Sequence, residues 1–160
     1  MMSEALVAIR QYRRLGERLH SAGQPTAAQL DQLGEAGIGL VINLALTDSD
    51  HAVPDEAQRL QAQGIVYSHQ PIDFDAPSRA HLDRLGQTLS AHAQTSTLVH
   101  CAYNMRVSAM LFMHRVRHLH IAPAVALPDL LALWTPTGPW RALIDEVLVE
   151  QGHSPLPPNG

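Results

Sequence analysis

Apolar residues along this chain alternate between two spacings. Leu40-Val41-Ile42-Asn43-Leu44 is an almost unbroken apolar run, which is what a strand buried on both faces of a parallel sheet requires. Ile65-Val66-Tyr67 and Thr97-Leu98-Val99-His100 predict two further strands. Helical spacing fills the intervals. Ser21-Ala22-Gly23-Gln24-Pro25-Thr26 opens a helix with Ala27, Leu30, Leu33 and Ala36 on one face, and Gly37 is placed to end it. Pro54-Asp55-Glu56 suits a first helical turn in a segment that Gly64 closes. After the loop Pro71-Ile72-Asp73-Phe74-Asp75-Ala76-Pro77-Ser78, Ser78 is placed to cap a helix bearing Leu82, Leu85 and Leu89. Further helices are predicted from about Met105 to His118, near 128–134, and over 140–149, where Ile144, Leu148 and Val149 make an apolar face. Strand and helix in alternation predict an α/β fold with a mostly parallel central sheet flanked by helices.

Composition narrows the class. A chain of 160 residues suits a single domain, here residues 1–152, with 153–160 as a flexible Pro-rich tail. A net charge of −4 offers no basic excess for nucleic acid or an anionic membrane. No apolar run approaches the roughly 18 residues that cross a bilayer. The start, Met-Met-Ser-Glu-Ala-Leu, lacks the basic segment and apolar core of a secretory signal. The one cysteine permits no internal disulfide, and a free thiol is easiest to keep in reducing cytosol. A cytoplasmic protein is expected.

That cysteine, Cys101, stands where the third predicted strand ends and a helix is about to begin. Unpaired N–H groups at a helix start carry partial positive charge, which favours a thiolate and binds anions. The four residues between Cys101 and Arg106 return the chain so that both side chains can face one small anion. Arg106 can donate two coplanar N–H bonds to such an anion, and Ser108 is placed to hydrogen-bond the sulfur. A thiolate, an anion cradle and a guanidinium together suit attack on a phosphoryl or similar group.

His100-Cys101 followed by Arg106 and Ser108 resembles the signature loop of cysteine-dependent tyrosine phosphatases, especially the small dual-specificity type. More narrowly, Ser21 to Thr26, Val41-Ile42-Asn43-Leu44, Ile72-Asp73-Phe74, Val99-His100-Cys101 and Arg106-Val107-Ser108-Ala109 resemble a bacterial phosphatase-like family long labelled a domain of unknown function. The likeness spans roughly residues 10–150. It implies the phosphotyrosine phosphatase fold and hydrolysis of phosphate monoesters through a phosphocysteine. It implies no metal or other cofactor, and a substrate that is a phosphorylated protein or a small phosphate ester. It makes Cys101 the nucleophile, Arg106 and the amides of Ala102, Tyr103, Asn104 and Met105 the phosphate cradle, and His100 a buttress of the loop. The general acid falls at Asp73 or Asp75, with Asp73 matching the family position.

The loop departs from the phosphatase pattern, which has five residues between cysteine and arginine. One residue fewer removes about 3.3 Å of chain. Asn104 stands where that pattern has glycine, and asparagine tolerates the left-handed backbone such a turn needs. Four-residue loops are typical of rhodanese-like sulfurtransferases, so a persulfide on Cys101 is one alternative. A non-catalytic anion-binding module is another. Outside the loop, His114 and His118 are spaced to share a metal, but Arg115 and Arg117 interleave and no carboxylate or cysteine completes a set, so an exposed helix face is predicted. Trp134 and Trp140 suggest a packed cover over the core or the rim of the site.

Overall fold

The central sheet is built on Leu40–Asn43 (β3) and Thr97–His100 (β5), whose residues are all buried, as their apolar runs predict. Val66–His69 (β4) pairs parallel to β3, and Leu19–Ala22 (β2) pairs parallel to β5. Arg13–Arg14 (β1) adds an antiparallel edge, giving the order β1-β2-β5-β3-β4. This computed structural model describes residues 3–158. Among the described residues seven helices flank the sheet: Glu4–Val7 (α1), Ala27–Leu30 (α2), Glu56–Gln61 (α3), Arg79–Ala91 (α4), Met105–Arg117 (α5), Pro123–Leu131 (α6) and Gly138–Glu150 (α7). The architecture is an α/β sandwich with a mostly parallel sheet, as the sequence pattern predicts.

Period-two alternation divides the core. Leu40, Ile42 and Val99 pack beneath α4, α5, α6 and α7 with Leu82, Leu85, Met110, Phe112 and Ile144. Val41, Leu98 and Ala22 pack on the opposite face with Leu6, Leu30 and Leu60. Helix α5 is the most enclosed element, since every residue from Arg106 to Val116 is buried.

Several elements differ from the sequence expectation. Strands β1 and β2 are additional, because Leu19-His20-Ser21-Ala22 carries no apolar run by which to announce itself. The helix that starts at Ala27 is capped by Thr26 through a reciprocal Thr26–Gln29 box, yet stops at Leu30. Turns then carry the chain to Gly37, whose φ of +91° suits glycine. Helix α6 begins at Pro123, a favoured first position, so Pro128 lies inside it rather than at its start. There it supplies no N–H to the carbonyl of Ala124. His114 and Arg115 are buried against neighbouring helices, so the exposed face is limited to His118 and its surroundings. Among the described residues no three metal-ligating side chains converge, and no helix is long and apolar enough to cross a membrane.

His114 stacks beside His118 at 5.1 Å between ring centroids, and its buried Nδ1 has no hydrogen-bond partner among the described residues. Burial, then the charges of His118 and Arg117, push its imidazole down from 6.5 to about 4. The unfolded chain takes up this proton below pH 6.5 while the folded protein resists it to about pH 4. The stability is therefore complete above 6.5 and is lost as pH falls towards 4, by about 3 kcal/mol at most. Urea unfolding at neutral and mildly acid pH should show His114→Leu losing less stability over that interval than the parent chain.

Candidate active site

Parallel strands bring four connecting loops to one end of the sheet, the ordinary place for a ligand in such folds. These are 23–26 after β2, 44–55 after β3, 70–78 after β4 and 101–104 after β5. Alternation along β5 sends Cys101 to the α4–α7 face with Val99, while His100 faces α3 on the other side.

The loop after Cys101 is held by its neighbours' backbones. The Cys101 amide donates to the Ala22 carbonyl at 3.3 Å, and the Gln24 amide donates to the Ala102 carbonyl at 2.9 Å. Gly23 lies against that carbonyl so closely that a Cβ there would sit 2.6 Å from the Ala102 oxygen. Asn104 adopts φ +67° and ψ +11°, the left-handed turn expected of it, and stands at the N-cap of α5. Its buried side-chain amide donates to the Gln11 carbonyl at 2.8 Å and to Ser21 Oγ at 3.0 Å. Strand β2 and its following turn thus shape the loop from beneath, which accounts for the Ser21 to Thr26 motif.

Among the described residues, the amides of Ala102, Tyr103, Asn104 and Met105 donate to no protein acceptor. They precede or open α5, so the positive end of its dipole adds to them. Arg106 is only 8% exposed and donates from Nη1 to the Ile72 carbonyl at 3.0 Å. That bond ties the Cys101 loop to the residue just before Asp73. Asp73 is exposed, with one carboxylate oxygen accepting the Asp75 amide at 2.9 Å. Cys101 itself is 1% exposed.

Two aromatic groupings frame these loops. Phe74 packs against Trp134 and Trp140 with centroids 5.6 and 5.9 Å away, and Trp140 donates to the Phe74 carbonyl at 2.7 Å. The tryptophans therefore cover the rim at the 71–78 loop. On the other side, the Tyr103 hydroxyl donates to Asp50 at 2.9 Å, its edge meets His51, and the Arg10 guanidinium lies 5.8 Å from its ring centroid. The Asp50 bond, then burial, raises the Tyr103 phenol above its ordinary value.

Not every expected group converges. The Ser108 hydroxyl donates to the Met105 carbonyl at 3.0 Å and accepts from Trp134 Nε1 at 3.1 Å, so it braces the first turn of α5. Asp73 and Asp75 share one turn but occupy different places in it, with Asp73 adjacent to the Arg106 anchor. Glu56 is a buried residue that sequence reasoning misses. Its Oε2 lies 2.6 Å from His100 Nε2 and its Oε1 accepts from Gln24 at 2.9 Å. His100 Nδ1 lies 3.3 Å from the Cys101 carbonyl. In sequence, Glu56 is merely one acidic residue in a helical first turn. Only the alternation of β5, which aims His100 at α3, singles it out.

No family model and no curated protein matches the sequence. Solved structures do. A "putative phosphatase (DUF442)" from Shewanella putrefaciens CN-32 shares 29% identity over 94% of this chain and 99% of its own, with a TM-score of 0.83. The chain is thus similar in structure to DUF442 proteins described as putative phosphatases. A "putative phosphatase" from Neisseria meningitidis Z2491 has 20% identity, 91% and 99% coverage and a TM-score of 0.67. The P. aeruginosa protein TpbA, as a cysteine-to-serine variant in complex with phosphotyrosine, has 19% identity, 75% and 71% coverage and a TM-score of 0.62. At such identities these last two speak for the fold. The DUF442 likeness extends over nearly the whole chain.

Gly23→Ala tests the packing beneath the cradle. Its Cβ would press on backbone rather than on a flexible side chain, so the 101–104 loop must shift. A cost of about 1–3 kcal/mol is expected in thermal unfolding, together with weaker vanadate binding. A variant with parent-like affinity and stability would show that the loop tolerates displacement.

Proposed function

We propose that this chain is a cysteine-dependent phosphatase of the tyrosine or dual-specificity type, hydrolysing phosphate monoesters. The observation that carries the reading is the Arg106–Ile72 bond. It draws together the cysteine loop, with its unpartnered amides, and the loop bearing Asp73. The DUF442 neighbour's description as a putative phosphatase supports the same reaction, and phosphotyrosine bound to TpbA supports a phosphate ester as ligand.

In this reading the Cys101 thiolate attacks phosphorus, forming an S–P bond as the ester P–O bond breaks. The amides of Ala102 to Met105 and the Arg106 guanidinium hold the three equatorial oxygens and strengthen their hold as charge builds. The leaving oxygen takes a proton from Asp73, which can carry it on the oxygen not engaged by the Asp75 amide. Water, relieved of a proton by Asp73, then displaces the sulfur and frees phosphate. His100 buttresses the loop. Phe74 on the 70–78 loop and Tyr103 on the cradle loop itself are exposed aromatics, which favours an aromatic ester such as phosphotyrosine over a short aliphatic one. Cytoplasmic phosphoproteins are the substrate pool this assigns. The proposed functional unit is residues 1–152.

The four-residue spacing favours one other reaction, sulfur transfer through a persulfide, so the assay pairs an aryl phosphate with thiosulfate plus cyanide. Aryl phosphate turnover is expected. Cys101→Ser should abolish it while vanadate still binds, and Asp73→Asn should lower kcat about 100-fold with KM little changed. Asp75→Asn should stay near the parent rate. Thiocyanate formation without phosphate release would transfer the site to sulfur chemistry. Anion binding without any turnover would make it a recognition module.

A further inference from the structure

We propose that Glu56 is a positioning residue for the Cys101 loop, acting through His100. The proposal rests on Cys101 being the nucleophile. A carboxylate only 3% exposed is costly unless both oxygens are engaged. Those of Glu56 are, one by the His100 ring and the other by the Gln24 amide. Gln24 in turn takes the Ala102 carbonyl through its backbone, so the same residue grips the carboxylate and the loop.

The chain of contacts has a definite direction. Burial alone would push the Glu56 carboxyl up, but the charge and hydrogen bond of His100 and the bond from Gln24 outweigh it, so the group lies below its ordinary value. An ionised carboxylate accepts only, so His100 Nε2 donates to it. Nδ1 lies on the other side of the ring, 3.3 Å from the Cys101 carbonyl. Glu56 thereby fixes how the His100 ring is turned against the loop. Across a trans peptide the Cys101 carbonyl and the Ala102 N–H point in opposite directions. Holding the carbonyl towards His100 therefore aims the Ala102 N–H the other way, into the anion cradle. His69 and Tyr67 of β4 are the other titratable groups that face Glu56. Neither stands between it and His100.

Glu56→Gln keeps shape and removes charge. The midpoint for thiolate formation at Cys101, followed by ultraviolet absorbance and referenced to Cys101→Ser, should rise by about one pH unit. The kcat for an aryl phosphate should fall about tenfold. Glu56→Asp should recover part of both effects. In a His100→Asn background Glu56→Gln should change neither further, because the residue acts through the ring. If Glu56→Gln does not fold, Glu56→Asp and His100→Asn read the same midpoint. An unmoved midpoint, or effects that simply add to those of His100→Asn, would overturn the proposal. Thiolate absorbance needs no turnover. A parent protein inert towards phosphate esters, whose midpoint still moved in Glu56→Gln, would remove the phosphatase reading and leave the positioning role standing.

Discussion

Parallel pairing of β2 with β5 brings Gly23 under Ala102, and the shape of the candidate site depends on that contact. At most positions two backbones cannot approach so closely, because a side chain keeps them apart. Here the absent Cβ lets the Gln24 amide reach the Ala102 carbonyl and leaves the amides of Ala102 to Met105 free to face a ligand. Asn104 completes the turn from inside the fold, with its side chain anchored to Gln11 and Ser21. The cradle is thus a product of the sheet edge beneath it as much as of its own residues.

The buried polar groups follow from the same arrangement. A cradle of N–H groups left without protein acceptors among the described residues takes its orientation from the side chains around it. Arg106 supplies it on one side through the Ile72 carbonyl, and the Glu56–His100 pair supplies it on the other. Each of these charged side chains is enclosed and each meets a specific partner, as interior charges must. The shortened spacing between Cys101 and Arg106 is compatible with a buried guanidinium because α5 begins directly after Asn104.

Much of this is legible in the sequence, for identifiable reasons. Strands β3 and β5 are apolar on both faces, a signature that short helices and loops seldom carry. The Cys101 loop and the left-handed Asn104 follow from local chemistry, since turn and helix start lie within a few residues. Strand β2 is silent because its inward positions hold His20 and Ser21, which are buried by partners far away in sequence. Glu56 is hidden for the same reason, its importance being a property of His100 across the sheet. The early start of α6 reflects Pro123, which reads equally well as a loop residue or a helix opening. For His114, charged neighbours mask a face that tertiary packing covers, so local spacing points to the surface and the fold does not.

The placement of the tryptophans has a practical corollary. The chain has two, and both rings touch Phe74. One indole N–H is bonded to the first turn of α5 and the other to the backbone of the loop that carries Asp73. Any rearrangement of that loop must alter the polarity and contacts of both fluorophores at once. The molecule therefore carries its own unlabelled optical gauge of loop motion, usable in stopped-flow with no dye attached.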